Sequence, residues 1–318
     1  MIERTPILDF FTHLAMIIGL VLAALPIYIV FVASTHDLPT VNQVPMPLTP
    51  GADAWKNYAT VWTKSDFGTK FLNSFIVASL VTLGKIAIAA ISAFSIVFFN
   101  YRLKMVFFWL IFVTLMLPLE VRIVPTYAVA ANALSPVEGL ANLILNGPAN
   151  LLAFVGLDGV ARAMPQLAIK LPEWNLLNSY TGLILPLVAT ATGTFLYRQF
   201  FMSIPPELVE AAKMDGAGPL RFFKDVLIPL SRTNMAALAT IMFVYAWNQY
   251  LWPLLITTKP EMTTATMQLQ KLVPGPLFGQ PPVWNEAMAG TLIVMLPPLL
   301  VVVFMQRYFV RGLIQADK

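Results

Sequence analysis

The sequence predicts an all-α integral membrane protein. Six transmembrane helices are expected, with a helical cytoplasmic loop between the fourth and fifth and a helical segment on the outer side between the third and fourth. Three observations predict this. Hydrophobic residues make up 58% of the 318-residue chain and charged residues 11%, against about 25% charged in a soluble domain. Six apolar runs reach the ~20 residues needed to cross a hydrocarbon core. A polar island at 203–231 separates the fourth run from the fifth, too short for a domain yet patterned as two helices about a glycine turn. Hydropathy therefore treats 1–318 as one transmembrane unit.

The first span, 14–34, is uncharged and longer than the apolar stretch of a signal peptide, with no small-residue cleavage site closing it, so it is expected to be retained. Residues 36–70 are polar and rich in proline and aromatics (Pro39, Pro45, Trp55, Trp62), as in an ordered outer loop with interfacial rings. The second span, 71–99, carries Lys85. The third, 105–127, is interrupted by Pro118, Glu120, Arg122 and Pro125. In the outer segment, 129–174, two apolar pieces at 137–146 and 150–160 are split by Gly147-Pro148 and are each too short to span. A further span there would reverse everything downstream, so they read as a helical hairpin on or in the outer leaflet. The fourth, fifth and sixth spans are 175–200, 233–258 and 287–306.

Orientation follows from the short loops. The tight turn at 100–104 holds Arg102 and Lys104, and the polar island holds Lys213, Arg221 and Lys224. Basic residues in short loops mark the cytoplasmic side, which places both termini there.

Within the polar island, Pro205 and Pro206 suit a first helical turn, where a missing N–H costs nothing. Leu208, Ala211 and Ala212 then share one face, with Glu207, Glu210 and Lys213 away from it. Asp215-Gly216 is a helix stop, because glycine accepts the left-handed geometry of a C-terminal cap. Pro219 opens a second helix, whose apolar side is Phe222, Phe223, Val226 and Leu227, and Pro229 is expected to end it. Such a knob docks into a cytoplasmic partner or lies on the headgroups.

Several chemistries have no support. The chain has no cysteine and a net charge of +4, so disulfides and thiolate chemistry are excluded. Scattered basic residues without aromatic interleaving argue against nucleic acid. His13 and His36 are the only histidines and flank the first span about 30 Å apart, so they share no metal. No catalytic or metal site is expected. Gly84-Lys85 lacks the upstream glycine and the hydroxyl of a phosphate-binding loop.

Intramembrane polar residues are the functional candidates, because burying charge in lipid is costly. Lys85 is either functional or a packed, snorkelling side chain. Glu120 and Arg122 are either an interfacial pair or the rim of a path. Asn248, Gln249 and Tyr250, in the run Trp247-Asn248-Gln249-Tyr250-Leu251-Trp252-Pro253, either bond between helices or line a cavity that binds hydroxyls. Adjacent amides on a helix would point about 100° apart.

Glu210-Ala211-Ala212, Gly216 six residues after Glu210, and Ile228-Pro229 resemble the EAA loop of ABC-importer permeases. Further residues carry a closer likeness: Leu83-Gly84-Lys85, Thr114-Leu115-Met116-Leu117-Pro118, Arg198-Gln199-Phe200-Phe201-Met202, the 247–253 run and Phe309-Val310-Arg311-Gly312-Leu313. The chain is similar to the carbohydrate-importer permeases of the maltose-permease type, and within them to the branch that imports glycerol 3-phosphate; relative to that family, 129–174 looks like an insertion.

The resemblance implies the transport subunit of an ATP-driven importer in the bacterial inner membrane, with no cofactor of its own. It implies a heterodimer with a second, homologous permease, two cytoplasmic ATPase subunits that bind ATP and Mg, and an extracytoplasmic solute-binding protein. It also implies that 203–231 is the coupling loop, acting through Glu207, Glu210, Ala211, Ala212, Asp215, Gly216 and Pro229. The substrate it implies is glycerol 3-phosphate or a related glycerophosphodiester, with a neutral sugar or polyol as the alternative. A passive channel or a membrane-embedded enzyme is the reading from another class.

Overall fold

The computed structural model describes residues 6–117, 119–165, 167–189, 191–273 and 282–316. All regular structure among them is helical. In chain order the helices are α1 (Pro6–Ser34), α2 (Leu38–Val41), α3 (Ala54–Thr63), α4 (Phe67–Phe98), α5 (Lys104–Met116) and α6 (Leu119–Ala131). Then follow α7 (Ser135–Leu145), α8 (Gly147–Phe154), α9 (Asp158–Ala163), α10 (Tyr180–Val188), α11 (Ala191–Met202) and α12 (Pro206–Met214). The chain closes with α13 (Pro219–Phe222), α14 (Ile228–Leu230), α15 (Arg232–Trp247), α16 (Leu251–Ile256), α17 (Ala265–Leu272) and α18 (Trp284–Ala316). Two compact units divide it: Met1–Phe75 with Thr263–Phe304, and Ile76–Met262 with Met305–Lys318.

In the first unit, α1 leaves most of its apolar surface uncovered, with only 6% of its most apolar stretch buried within the chain. Such a surface calls for lipid or another helix as its solvent. Polar order concentrates around Asn57, which is 3% exposed. Its amide donates to the carbonyls of Ser34 at 2.9 Å and His36 at 2.7 Å, and its oxygen accepts from Asn285 Nδ2 at 2.9 Å. Ser74 Oγ accepts from the Ala265 N–H at 2.8 Å, satisfying one of the otherwise unpaired donors in the first turn of α17.

The second unit is built on a cluster in which Ala89, Ala90 and Ala93 of α4 meet Tyr197, Phe201, Phe222, Leu227, Leu238 and Met242. Small residues on α4 allow the close approach of helices that packing in a membrane relies on.

Helices α1, α4 and α18 contain unbroken stretches of 28, 32 and 25 residues that are long and apolar enough to cross a membrane. Residues 14–34, 71–98 and 287–306 lie in these helices. The other expected spans are not single helices. Residues 105–127 divide at Leu117, which is extended (φ −87°, ψ 111°), the backbone that a residue preceding proline adopts. Pro118 itself lies outside the described residues. Residues 175–200 divide at Ala189 (φ −66°, ψ 125°), with a 45° bend between α10 and α11. The sequence there, Ala189-Thr190-Ala191-Thr192-Gly193-Thr194, is rich in poor helix formers.

Residues 233–258 divide at 248–250, correcting the expectation that Asn248 and Gln249 project from one helix. The cause is Pro253, which has no N–H and whose ring would clash with the Gln249 carbonyl in a continuous helix.

Residues 129–174 form three short helices, not a two-piece hairpin. Gly156, at φ +83°, interrupts the second apolar piece between α8 and α9. Asn142 on α7 and Asn146, which caps its C-terminal end, are one turn apart and each pair with the extended backbone at 167–169. Asn142 Oδ1 accepts from the Ile169 N–H at 2.7 Å, and Asn146 Oδ1 accepts from the Leu167 N–H at 3.0 Å.

Candidate functional site

A cavity of about 310 Å³ lies wholly within the second unit. Lys85 of α4, Arg122 of α6, Thr114 of α5, Thr192 of α11 and Tyr245 of α15 supply its polar lining; Leu117, Ala189, Ala191, Ile241 and Met242 complete it. Lys85 is 5% exposed. Its ammonium sits over the Tyr245 ring, 4.2 Å from the centroid, where the negative face of the π system attracts it. The Nε of Arg122 is buried and has no hydrogen-bond partner among the described residues. No carboxylate is among the described lining residues. Among the described residues, two cations thus converge on a space that offers them hydroxyls and a ring.

Two of the helix interruptions border this cavity. Leu117 lies at the end of α5, Arg122 is in the opening turn of α6, and Ala189, Ala191 and Thr192 flank the break from which α11 starts. The opening turn of a helix carries N–H groups without intrahelical acceptors and the positive end of its dipole. Non-helical backbone at membrane depth is tolerated where it lines a water-filled cavity.

Of the expected path residues, the structure brings Lys85 and Arg122 together. The Glu120 side chain lies outside the described residues. Asn248, Gln249 and Tyr250 lie at the break after α15 and do not line the cavity; Gln249 Nε2 donates back to the Tyr245 carbonyl at 3.3 Å. Tyr245 is the residue the sequence reading missed. A single phenol in an apolar run differs from an interfacial anchor only by its depth in that run. Thr114 and Thr192 gave even less signal, since hydroxyls commonly bond back to their own helix. Here Thr114 Oγ1 donates to the Ile111 carbonyl at 2.6 Å.

The polar island folds as a second candidate site. Pro206 is in the opening turn of α12. Gly216, at φ +70°, takes the left-handed position that follows the helix end. The Ala217 N–H then donates to the Ala212 carbonyl at 2.9 Å, closing the turn in the manner of a Schellman cap.

The inward face of α12 is not the expected one. Val209 and Ala212 pack on the core cluster, whereas Leu208 is 38% exposed and Ala211 is also exposed. Residues 208 and 209 differ by about 100° around the helix, and Val209, the smaller and β-branched of the two, takes the buried side. Met214 and Leu220 are 83% and 80% exposed, so apolar side chains stand outward among Glu207, Glu210 and Asp215.

Pro229 does not end the second helix. A π turn at Phe223–Leu227 leads into α14, which contains Pro229. A wider turn relieves the clash of a proline ring with the preceding carbonyls. The 75° bend comes at Ser231, between the Pro219–Leu230 stretch and α15.

Comparison with known proteins adds the following. The family model described as binding-protein-dependent transport system inner membrane component matches residues 85–315. The sn-glycerol-3-phosphate transport system permease protein UgpE of Yersinia pestis bv. Antiqua (strain Antiqua) is 44% identical over 324 residues, covering 100% of both chains. The protein of the same name from Pectobacterium atrosepticum is 44% identical over 325 residues, and that from Salmonella typhi 43% over 325, again covering 100% of each chain. Among solved structures, a bacterial ABC transporter involved in the import of the acidic polysaccharide alginate superposes with a TM-score of 0.69 at 20% identity. That match covers 95% of this chain and 96% of the other. The alginate transporter in complex with an alginate pentasaccharide-bound periplasmic protein gives 0.58 at 17% identity, covering 94% of each. At those identities the likeness is one of fold.

Proposed function

The chain belongs to the family of binding-protein-dependent transport system inner membrane components, and from that premise we propose that it is the permease subunit of an ATP-driven importer for glycerol 3-phosphate or a related glycerophosphodiester. The named relatives, alike from end to end, support that substrate. The single observation that carries the coupling is the outward knob of α12 and Gly216. Leu208, Ala211 and Met214 face away from the chain's own core there, between Glu207, Glu210 and Asp215. A short amphipathic helix held on its other side by Val209 and Ala212 is a rigid lever that another subunit can grip.

In this reading the cytoplasmic face carries 203–231 and both termini. ATP and Mg are bound by two separate ATPase subunits that dock on the knob. Glu210 contacts a basic group of the ATPase, and Gly216 and Asp215 fix the turn. A second, homologous permease covers the apolar surface that α1 leaves open, and an extracytoplasmic binding protein delivers the substrate. The translocation path passes the cavity of Lys85 and Arg122, with the break at 248–250 further along the same helical unit. Closure of the ATPases moves the knob, and the spans exchange inward- and outward-facing states.

The test is ATP hydrolysis by the reconstituted complex in nanodiscs. Hydrolysis is expected to rise several-fold when binding protein loaded with glycerol 3-phosphate is added, and Glu210→Lys should abolish that rise. A complex of this chain that recruits no ATPase, or whose hydrolysis ignores the loaded binding protein, would contradict the reading.

A further inference from the structure

We propose that the Lys85–Arg122 cavity is a phosphate subsite in the translocation path, built for the dianion of a phosphate monoester in preference to the monoanion of a diester. The inference rests on the importer reading above and deepens it by assigning the recognising groups. Three independent features converge. Lys85, 5% exposed, and the buried Nε of Arg122 face one cavity with no carboxylate among its described lining residues. The first turns of α6 and α11 both border that cavity, and helix starts favour anions. At about 310 Å³ the space lies at the small end of ligand pockets, which run from about 300 to 1,000 Å³, and so suits a small phosphorylated polyol.

Charge count sets the preference. A phosphate monoester carries about −1.5 to −2 at neutral pH, which offsets both cations. A diester carries a single negative charge and leaves one cation uncompensated in a site of low dielectric, where unpaired charge is expensive. The Tyr245 ring holds the Lys85 ammonium at 4.2 Å. A cation–π contact is weaker than a charge-assisted hydrogen bond, so an incoming phosphate can take the ammonium over. Arg122 offers the planar donor fork that matches phosphate oxygens, and Lys85 acts as a point charge.

The experiment uses proteoliposomes containing the full complex with ATP enclosed. Uptake of labelled glycerol 3-phosphate is measured beside uptake of labelled glycerophosphoglycerol, a singly charged diester. Wild type is compared with Lys85→Gln, Arg122→Gln and Lys85→Arg. The same binding protein serves every sample, so a change in the monoester-to-diester ratio reports on this chain. The two glutamine variants should each lower the ratio of monoester to diester uptake by about tenfold or more, while Lys85→Arg keeps that ratio within about threefold of wild type.

An unchanged ratio in both glutamine variants would overturn the subsite, as would equal loss of the two substrates in variants that still retain their ATPase subunits. If wild type takes up neither substrate with ATP present, the importer reading itself fails and the subsite falls with it. Normal wild-type uptake with indifferent variants removes the subsite alone.

Discussion

The ammonium of Lys85 lies 4.2 Å from the centroid of the Tyr245 ring, so a lysine buried in the middle of α4 is held by an aromatic face on α15. The ring, not the hydroxyl, makes this contact. Tyr245→Phe is therefore expected to transport within about twofold of wild type. Tyr245→Leu removes roughly 0.5–2 kcal/mol of attraction and should slow uptake several-fold. Uptake assays in vesicles check this; a loss in Tyr245→Phe as large as in Tyr245→Leu would move the role to the hydroxyl.

Gly216 and Gly218 are two residues apart in the same turn yet should respond differently. Gly216 is at φ +70°, where a side chain costs about 1–2 kcal/mol and a β-branched one more. Gly218 is at φ −69°, and an added Cβ there meets open space. Gly216→Val is expected to release the ATPase subunits or to uncouple hydrolysis from uptake, whereas Gly218→Ala should leave both intact. Retention of ATPase on affinity purification, measured beside uptake, separates the two outcomes.

A methyl group at Gly182 would overlap the Leu176 carbonyl oxygen and crowd Ile256. The same residue's carbonyl accepts from Trp252 Nε1 at 3.2 Å. Gly182→Ala is expected to destabilise the second unit by about 1–3 kcal/mol. Thermal unfolding in detergent should show a lower midpoint; an unchanged midpoint would mean that the α10–α16 contact yields freely.

Asn57 makes three hydrogen bonds, two of them fully buried, to the Ser34 and His36 carbonyls and to Asn285. Asn57→Leu leaves those partners buried without it, at roughly 1–3 kcal/mol for each group left unsatisfied. The first unit should lose protection of its amides around 34–36 in hydrogen exchange, with the amides of α11 unaffected.

What could be read from the sequence follows the reach of each physical signal. The three long apolar helices were legible, because an apolar run of that length with at most one charge in it has few fates other than crossing a membrane. The glycine turn was legible too, since Asp215-Gly216 after a short helical pattern demands a left-handed residue. The inward face of α12 was not: Leu208 and Val209 are adjacent and both apolar, and only the cluster around Phe222 decides which one is buried. The break at 248–250 was obscured because Pro253 acts four residues upstream of itself, on Gln249.

The cavity was half legible. Lys85 and Arg122 announced themselves as charges in apolar runs. That they share a space depends on how five separate helices pack, which no local pattern encodes. Tyr245, Thr114 and Thr192 are ordinary residues in a span until that packing places them around one volume.

The central claim is that this chain carries a phosphorylated polyol at the expense of ATP hydrolysed elsewhere, and one measurement meets it most directly. Labelled glycerol 3-phosphate uptake is followed in proteoliposomes of the complete complex, with and without enclosed ATP, for wild type and Glu210→Lys. The account predicts accumulation with ATP only, and none in Glu210→Lys. Uptake that proceeds equally without ATP, or that Glu210→Lys leaves untouched, would contradict it.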